Sequence, residues 1–257
     1  MKINKGKILG LLFMLLLILS IAFLSVRVNV EEAPKITFIS LSGNTHLNVE
    51  NYFKFTRLDE KENYKYLSVN IIKDRFEKHP YIETASVKLE PDNKVYVEIS
   101  EKTFEAIITQ FGRNFFLSDE FELLPFMFGT HNVDYPLIRG LSRADTIKTF
   151  TIMYNDSDII TAMKIMAATE LIDKNLFANI SEIVCSGEKG IELYFNNLDF
   201  PILLGQGEVI KKMVYFGKMW AYFDGKLNNE VVDYIDLRYD KHVFLGFDPG
   251  QLEGQSS

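Results

Sequence analysis

Residues Ile8 to Val26 are nineteen consecutive positions without a charge, and this run constrains the reading of everything after it. The segment ILGLLFMLLLILSIAFLSV holds eight Leu and three Ile. At about 1.5 Å rise per residue, a helix of this length spans roughly 28 Å, close to the ~30 Å hydrocarbon core of a bilayer. On insertion scales its Leu, Ile, Phe and Val residues contribute roughly −4 to −8 kcal/mol. Ile8, Leu12, Leu16, Leu19 and Phe23 recur along this anchor. Lys2, Lys5 and Lys7 precede it, so the positive-inside rule keeps residues 1–7 in the cytoplasm and sends the rest outward. The competing reading is a cleaved signal peptide, whose apolar core is usually only ~7–15 residues. No small-x-small site follows here; the next residues are Val26-Arg27-Val28-Asn29-Val30. The sequence therefore predicts an uncleaved single-pass anchor over 8–26.

Without residues 1–26 the chain keeps 25 basic against 35 acidic residues, a net charge of −10. That balance argues against nucleic acid and against electrostatic adhesion to anionic lipid. An aromatic content of 13% excludes disorder for the bulk of the chain. The only cysteine, Cys185, cannot form an internal disulfide, so packed cores must stabilise the exported part.

Residues 27–35 are polar, contain Pro34 and read as a spacer. A unit over 36–102 follows. It opens with a strand, Ile36–Leu41, closed by Ser42-Gly43-Asn44, and continues with a short helix near Val49–Phe55. A second helix has Ser68 as N-cap, and Val69, Ile72, Phe76 and His79 on one face; Pro80 stops it. Ala85, Val87 and Leu89 then alternate with polar residues, as do Val95, Val97 and Ile99, around the turn Glu90-Pro91-Asp92-Asn93. The order is β-α-α-β-β, with both helices on one face of one sheet.

The remainder, 103–247, reads as a larger strand-rich α+β domain with an antiparallel sheet. Hairpins are expected at Phe104–Gln110 with Asn114–Leu117, and at Ile180–Ser186 with Ile191–Phe195. A helix over Asp158–Leu171 is expected to bury Ile160, Met163, Ala167 and Leu171. A strand Pro201–Leu204 precedes a helix over Glu208–Phe223 whose buried stripe would be Ile210, Met213, Gly217 and Trp220. Two strands, Val231–Tyr239 and His242–Phe247, close the domain, and the polar residues 248–257 are expected to be disordered.

Several stretches in this order resemble the bacterial cell-division family FtsQ, called DivIB in some lineages. Ile36–Gly43 resembles the opening of that family's POTRA domain. His79-Pro80-Tyr81-Ile82-Glu83-Thr84-Ala85-Ser86-Val87 is similar to its "P-x-V-x-x-A-x-V" stretch, and Glu90-Pro91 with Val95–Lys102 to the hairpin ending in Glu-Arg/Lys. Tyr135-Pro136-Leu137-Ile138-Arg139-Gly140 resembles the "P-x-(L/I)-x-G" turn of the second domain. Leu203-Leu204-Gly205-Gln206-Gly207, followed by Lys211, Lys212 and Phe216, resembles the entry to its long helix, and Tyr234-Ile235-Asp236-Leu237-Arg238-Tyr239 its "D-L-R-Y" strand. One turn departs: the family's Asp-x-x-Gly reads Ser118-Asp119-Glu120-Phe121, without glycine.

The residues suggest no catalytic site. His46, His79, His131 and His242 are scattered singly and make no metal-ligand spacing. No phosphate-binding loop or nucleophile elbow occurs. The carboxylate pairs Asp156/Asp158 and Asp119/Glu120 read as solvated loop charges, and no cofactor is expected. The last strand invites a partner instead. Val243–Phe247 has no charge and no proline, and nothing ordered is expected beyond it, so it would be an unprotected sheet edge. Arg238, Tyr239, Val243, Phe244, Leu245 and Phe247 are the candidate partner-binding residues. Arg238 is either an ordinary strand residue, solvated or paired on Asp236's side of the sheet, or it meets a carboxylate of the partner.

The resemblance implies a bitopic inner-membrane scaffold at the division septum, not an enzyme. It would hold FtsB/FtsL-type single-pass division proteins and help regulate septal peptidoglycan synthesis. A membrane-anchored cell-envelope hydrolase and a POTRA-type assembly chaperone are the alternatives.

Overall fold

The computed structural model describes residues 5–26, 35–142, 147–223 and 232–247. The expected tail 248–257, most of the spacer 27–35 and residues 1–4 lie outside them. Helix α1 covers Lys5–Val26. Its described side chains, at Gly6 and residues 9–23, are all exposed. Among the described residues no helix is long and apolar enough to cross a membrane.

The unit over 36–102 has the expected order. Strand β1 (Phe38–Ser42), helices α2 (Val49–Thr56) and α3 (Val69–Glu77), and strands β2 (Ile82–Leu89) and β3 (Lys94–Glu101) follow one another, with a 3₁₀ turn at Lys61–Tyr66. Asn48 caps α2 and Ser68 caps α3, each accepting a backbone N–H three residues on. The sheet order is β1-β3-β2, with β1 parallel and β2 antiparallel to β3. Val95, Val97 and Ile99 face the helices and bury against Tyr52, Ile72 and Phe76. The last strand ends on Glu101, whose carboxylate is held by Thr45 N–H at 2.8 Å, the Thr45 hydroxyl at 2.5 Å, His46 N–H at 3.0 Å and the Tyr52 hydroxyl. Four donors offset the cost of burying that charge.

The second unit contains β4 (Phe104–Gln110), β5 (Arg113–Ser118), β6 (Leu123–Pro125), β7 (Leu137–Arg139), α4 (Ser157–Ile172), α5 (Lys174–Ala178), β8 (Ile180–Cys185), β9 (Ile191–Phe195), β10 (Ile202–Gly205), α6 (Val209–Phe223), β11 (Val232–Asp236) and β12 (Phe244–Phe247). Its nine strands form one sheet in the order β12-β11-β10-β9-β8-β7-β4-β5-β6. The expected antiparallel sheet is in fact mixed. Three pairs are parallel: β4 with β7, β7 with β8, and β10 with β11. For the last two the reason is the helices. Helices α4 and α5 carry the chain from β7 to a parallel β8, and α6 carries it from β10 to a parallel β11. Strands β6 and β7 are only three residues each, too short to show an alternation.

Both helix stripes differ from expectation. Helix α4 buries Ile159, Ala162, Ile165, Met166 and Thr169, whereas Leu171 is 89% exposed and Ala167 also faces solvent. The segment is apolar on nearly every side, so two candidate stripes compete and contact with the sheet and α6 decides. Helix α6 buries Val209, Met213, Phe216 and Trp220, and Ile210 is half exposed. Gly217 is where α6 meets α4: a Cβ there would lie 2.3 Å from Ile172 Cγ2. Cys185 is buried in β8, and burial pushes its thiol up to about 12. At the turn that departs from the family pattern, Phe121 takes φ 62°, the left-handed conformation glycine would adopt without strain. Its side chain packs against the core, which offsets that strain.

The two units share a core. Phe104, Ile107, Phe116 and Leu124 of the second pack with the buried side chains of the first. Phe104 stacks on His46 at 4.0 Å and on Phe116 at 4.4 Å between ring centres. Lys102 forms an ion pair with Glu122 across the boundary at Thr103.

Candidate partner-binding edge

The six candidate residues lie on and around the β11–β12 hairpin. The strands pair antiparallel, with Asp236 opposite Phe244, Ile235 opposite Leu245, Tyr234 opposite Gly246 and Val232 opposite Phe247; a bulge falls at Asp233. Alternation puts Phe244 on the face of Asp236 and Tyr234, and Phe247 on the face of buried Val232. Val243 and Leu245 are partly buried against the core. Phe244 and Phe247 remain 50% and 47% exposed. Gly246 has a local reason: a Cβ there would lie 2.3 Å from the Tyr234 ring, which crosses the strand at that point.

β12 has β11 as its one neighbour among the described residues. The N–H and C=O groups on its outer side therefore have no strand partner there. Such an edge is a template for another strand unless something blunts it. Neither a charge nor a proline does so within Val243–Phe247.

The turn before β12 is tightly organised. Asp236 is nearly buried, and its carboxylate accepts Arg238 N–H at 2.9 Å, Nε–H at 2.9 Å and Nη2–H at 2.6 Å. Burial works to raise this carboxyl's pKa, but the guanidinium and the backbone N–H hold it below the usual carboxylate range. Of the two roles open to Arg238, the structure displays the pairing with Asp236. Half of the Arg238 side chain still faces solvent. Tyr239 packs edge-on against Phe244 at 5.2 Å, and the His242 ring lies parallel to Phe244 at 6.1 Å.

Beside the hairpin runs a groove of about 400 Å³ between α6 and residues 237–243. Tyr215, Met219, Leu237 and Val243 supply its apolar surface, and Lys211, Lys218, Arg238 and Lys241 its basic rim. Lys211 bridges to Asp240 at 2.7 Å and Glu208 at 3.2 Å. Lys212 donates to the carbonyls of Leu204 and Gln206, both at 2.7 Å, and burial lowers its pKa. This ties the Gly205–Gly207 turn to α6. Sequence reasoning missed the groove, because α6 and the hairpin meet there from about thirty residues apart. Among the described residues no three His, Cys, Asp or Glu side chains converge to hold a metal. The chemistry on offer is backbone pairing, aromatic surface and positive charge: the chemistry of binding.

Comparisons with known proteins agree with this organisation. Residues 35–102 match the model of the POTRA domain, FtsQ-type, and residues 106–238 that of cell division protein FtsQ/DivIB, C-terminal. The second match ends at Arg238, so the turn and β12 lie beyond it. The chain is similar to the cell division protein FtsQ of Syntrophotalea carbinolica (strain DSM 2380 / NBRC 103641 / GraBd1), with 20% identity over 224 residues, covering 86% of this chain and 77% of that protein.

Proposed function

Since the chain belongs to the FtsQ/DivIB family of cell division proteins, which are non-enzymatic division scaffolds, we propose that it is a single-pass inner-membrane scaffold that binds FtsB/FtsL-type partners at the septum. On this reading α1 completes the anchor over 8–26, and residues 36–247 work outside the cytoplasm. The anchor confines the protein to two dimensions and so raises its effective concentration among other anchored proteins. Regulation of septal peptidoglycan synthesis then follows from whom the scaffold holds.

One observation supports the binding site: among the described residues β12 is the sheet edge, with Phe244 and Phe247 half exposed on opposite faces. A partner strand would add to it, with backbone hydrogen bonds giving affinity and the two rings giving specificity. Losing an aromatic anchor typically costs ~2 kcal/mol or more, about thirtyfold in affinity. Arg238 is the less informative target, because removing it strips the nearly buried Asp236 of its counter-charge. The test is co-purification from membranes with an FtsB-type partner. Truncation after Tyr239, and Phe244→Ala with Phe247→Ala, should abolish it while the protein stays folded and membrane-bound. Undiminished binding by a folded chain lacking 240–257 would place the site elsewhere.

A further inference from the structure

A strap of the second unit reaches back over the first. It follows β6 and runs through residues 125–131. The Tyr81 hydroxyl, fully buried at the start of β2, is its anchor: it donates to Pro125 O at 2.8 Å, accepts Met127 N–H at 3.0 Å and lies 3.1 Å from Thr130 Oγ1. The Thr130 hydroxyl donates to Met127 O at 2.7 Å, which closes the strap on itself. His131 N–H donates to His46 O at 2.8 Å. Gly129 sits at φ 84° against α2, where a Cβ would lie 2.6 Å from Asn51 Nδ2. Beneath the strap lies the shared core of Tyr81, Phe104 and Phe116, and beside it the Lys102–Glu122 ion pair.

Units joined only by a linker are expected to move against each other, unless their interface is extensive and apolar. Here it is apolar at its centre, and a buried hydroxyl holds the strap against the first unit. We propose that the two units form a single rigid body, with the 125–131 strap as its lock. The β12 edge then keeps one position and tilt relative to the first unit, rather than being loosely tethered to it. This does not depend on what β12 binds.

The test is a spin-label distance in the full chain in detergent. Asn70→Cys on α3 and Lys164→Cys on α4 are exposed labelling sites, and buried Cys185 is shielded from the label. A rigid body gives one narrow distance distribution. Tyr81→Phe with Gly129→Val should broaden it at least twofold, while circular dichroism shows both units folded. Should that variant fail to fold, Tyr81→Phe alone, which keeps the ring, carries the same comparison. A broad distribution in the parent chain, or an unchanged narrow one in the folded unlocked variant, overturns the proposal.

Discussion

Acidification should weaken this fold through one histidine. His79 is buried among the rings of Tyr52, Phe55 and Tyr81. Its Nδ1 accepts Tyr81 N–H at 3.1 Å, which assigns the ring proton to Nε2, and Nε2 has no hydrogen-bond partner among the described residues. Burial lowers its pKa from 6.5 to about 4, against a pull upward from Glu101. The unfolded chain therefore takes up a proton near pH 6.5 that the folded chain refuses until about pH 4. The stability this ring contributes is complete above pH 6.5 and drains away as pH falls towards 4. At ~1.4 kcal/mol per pH unit the loss is about 2 kcal/mol at pH 5 and about 3 kcal/mol at pH 4. Protonation also places a second donor on Nδ1, facing the Tyr81 N–H it formerly accepted. The assay is the urea midpoint of residues 33–257 from pH 7 to 4.5, in parent and His79→Asn. Asparagine keeps an acceptor for Tyr81 N–H but does not titrate. The variant should be the less stable at pH 7 and should close about 2 kcal/mol of that gap by pH 5. Two curves that stay parallel across the range would refute the reasoning.

Other outcomes follow from the packing. Gly217→Ala improves helix propensity by ~1 kcal/mol yet drives a Cβ into Ile172, so a net loss of about 1–3 kcal/mol in urea melts is expected, recovered in part by adding Ile172→Val. Phe121→Gly should relieve about 1 kcal/mol of backbone strain but remove a ring from the core, for a net loss above 1 kcal/mol by the same measurement. A reporter enzyme fused after Ser257 should be active only outside the cytoplasm; cytoplasmic activity would contradict the anchor's orientation.

Elements with one buried face were legible in the sequence. β3 alternates cleanly because its outer face meets water, and Ser68 and Pro80 delimit α3 by local chemistry alone; in β2 the alternation breaks at a bulge after Ile82 and Leu89 is exposed. α4 was misread by one position because Ile159 and Ile160 are equally apolar, and the sheet decides between them. β7 was invisible as a strand: three residues, flanked on both sides, carry no period. The parallel pairings are long-range facts that no local pattern encodes. At the candidate site, the edge character of β12 was expected from an uncharged last strand, whereas Arg238 lies just past the end of β11 and its pairing with Asp236 was only one of the readings open to it. Two features were out of reach. The groove rim is assembled from separate elements, and the boundary at Thr103 looked like a seam although Phe104 and Phe116 fill the core on its far side.

The sheet order also bears on how the protein is made. β12 leaves the ribosome after every other described strand of its sheet, yet among the described residues it pairs with β11 alone. Until it arrives, Val232–Asp236 is itself the open edge of an otherwise complete sheet. Before β12 is in place that edge is free to capture the β12 of a neighbouring newly made chain, an exchange that would yield swapped dimers. The short Arg238–Val243 connection, pinned by Asp236 and Arg238, favours the local partner and so guards against that error.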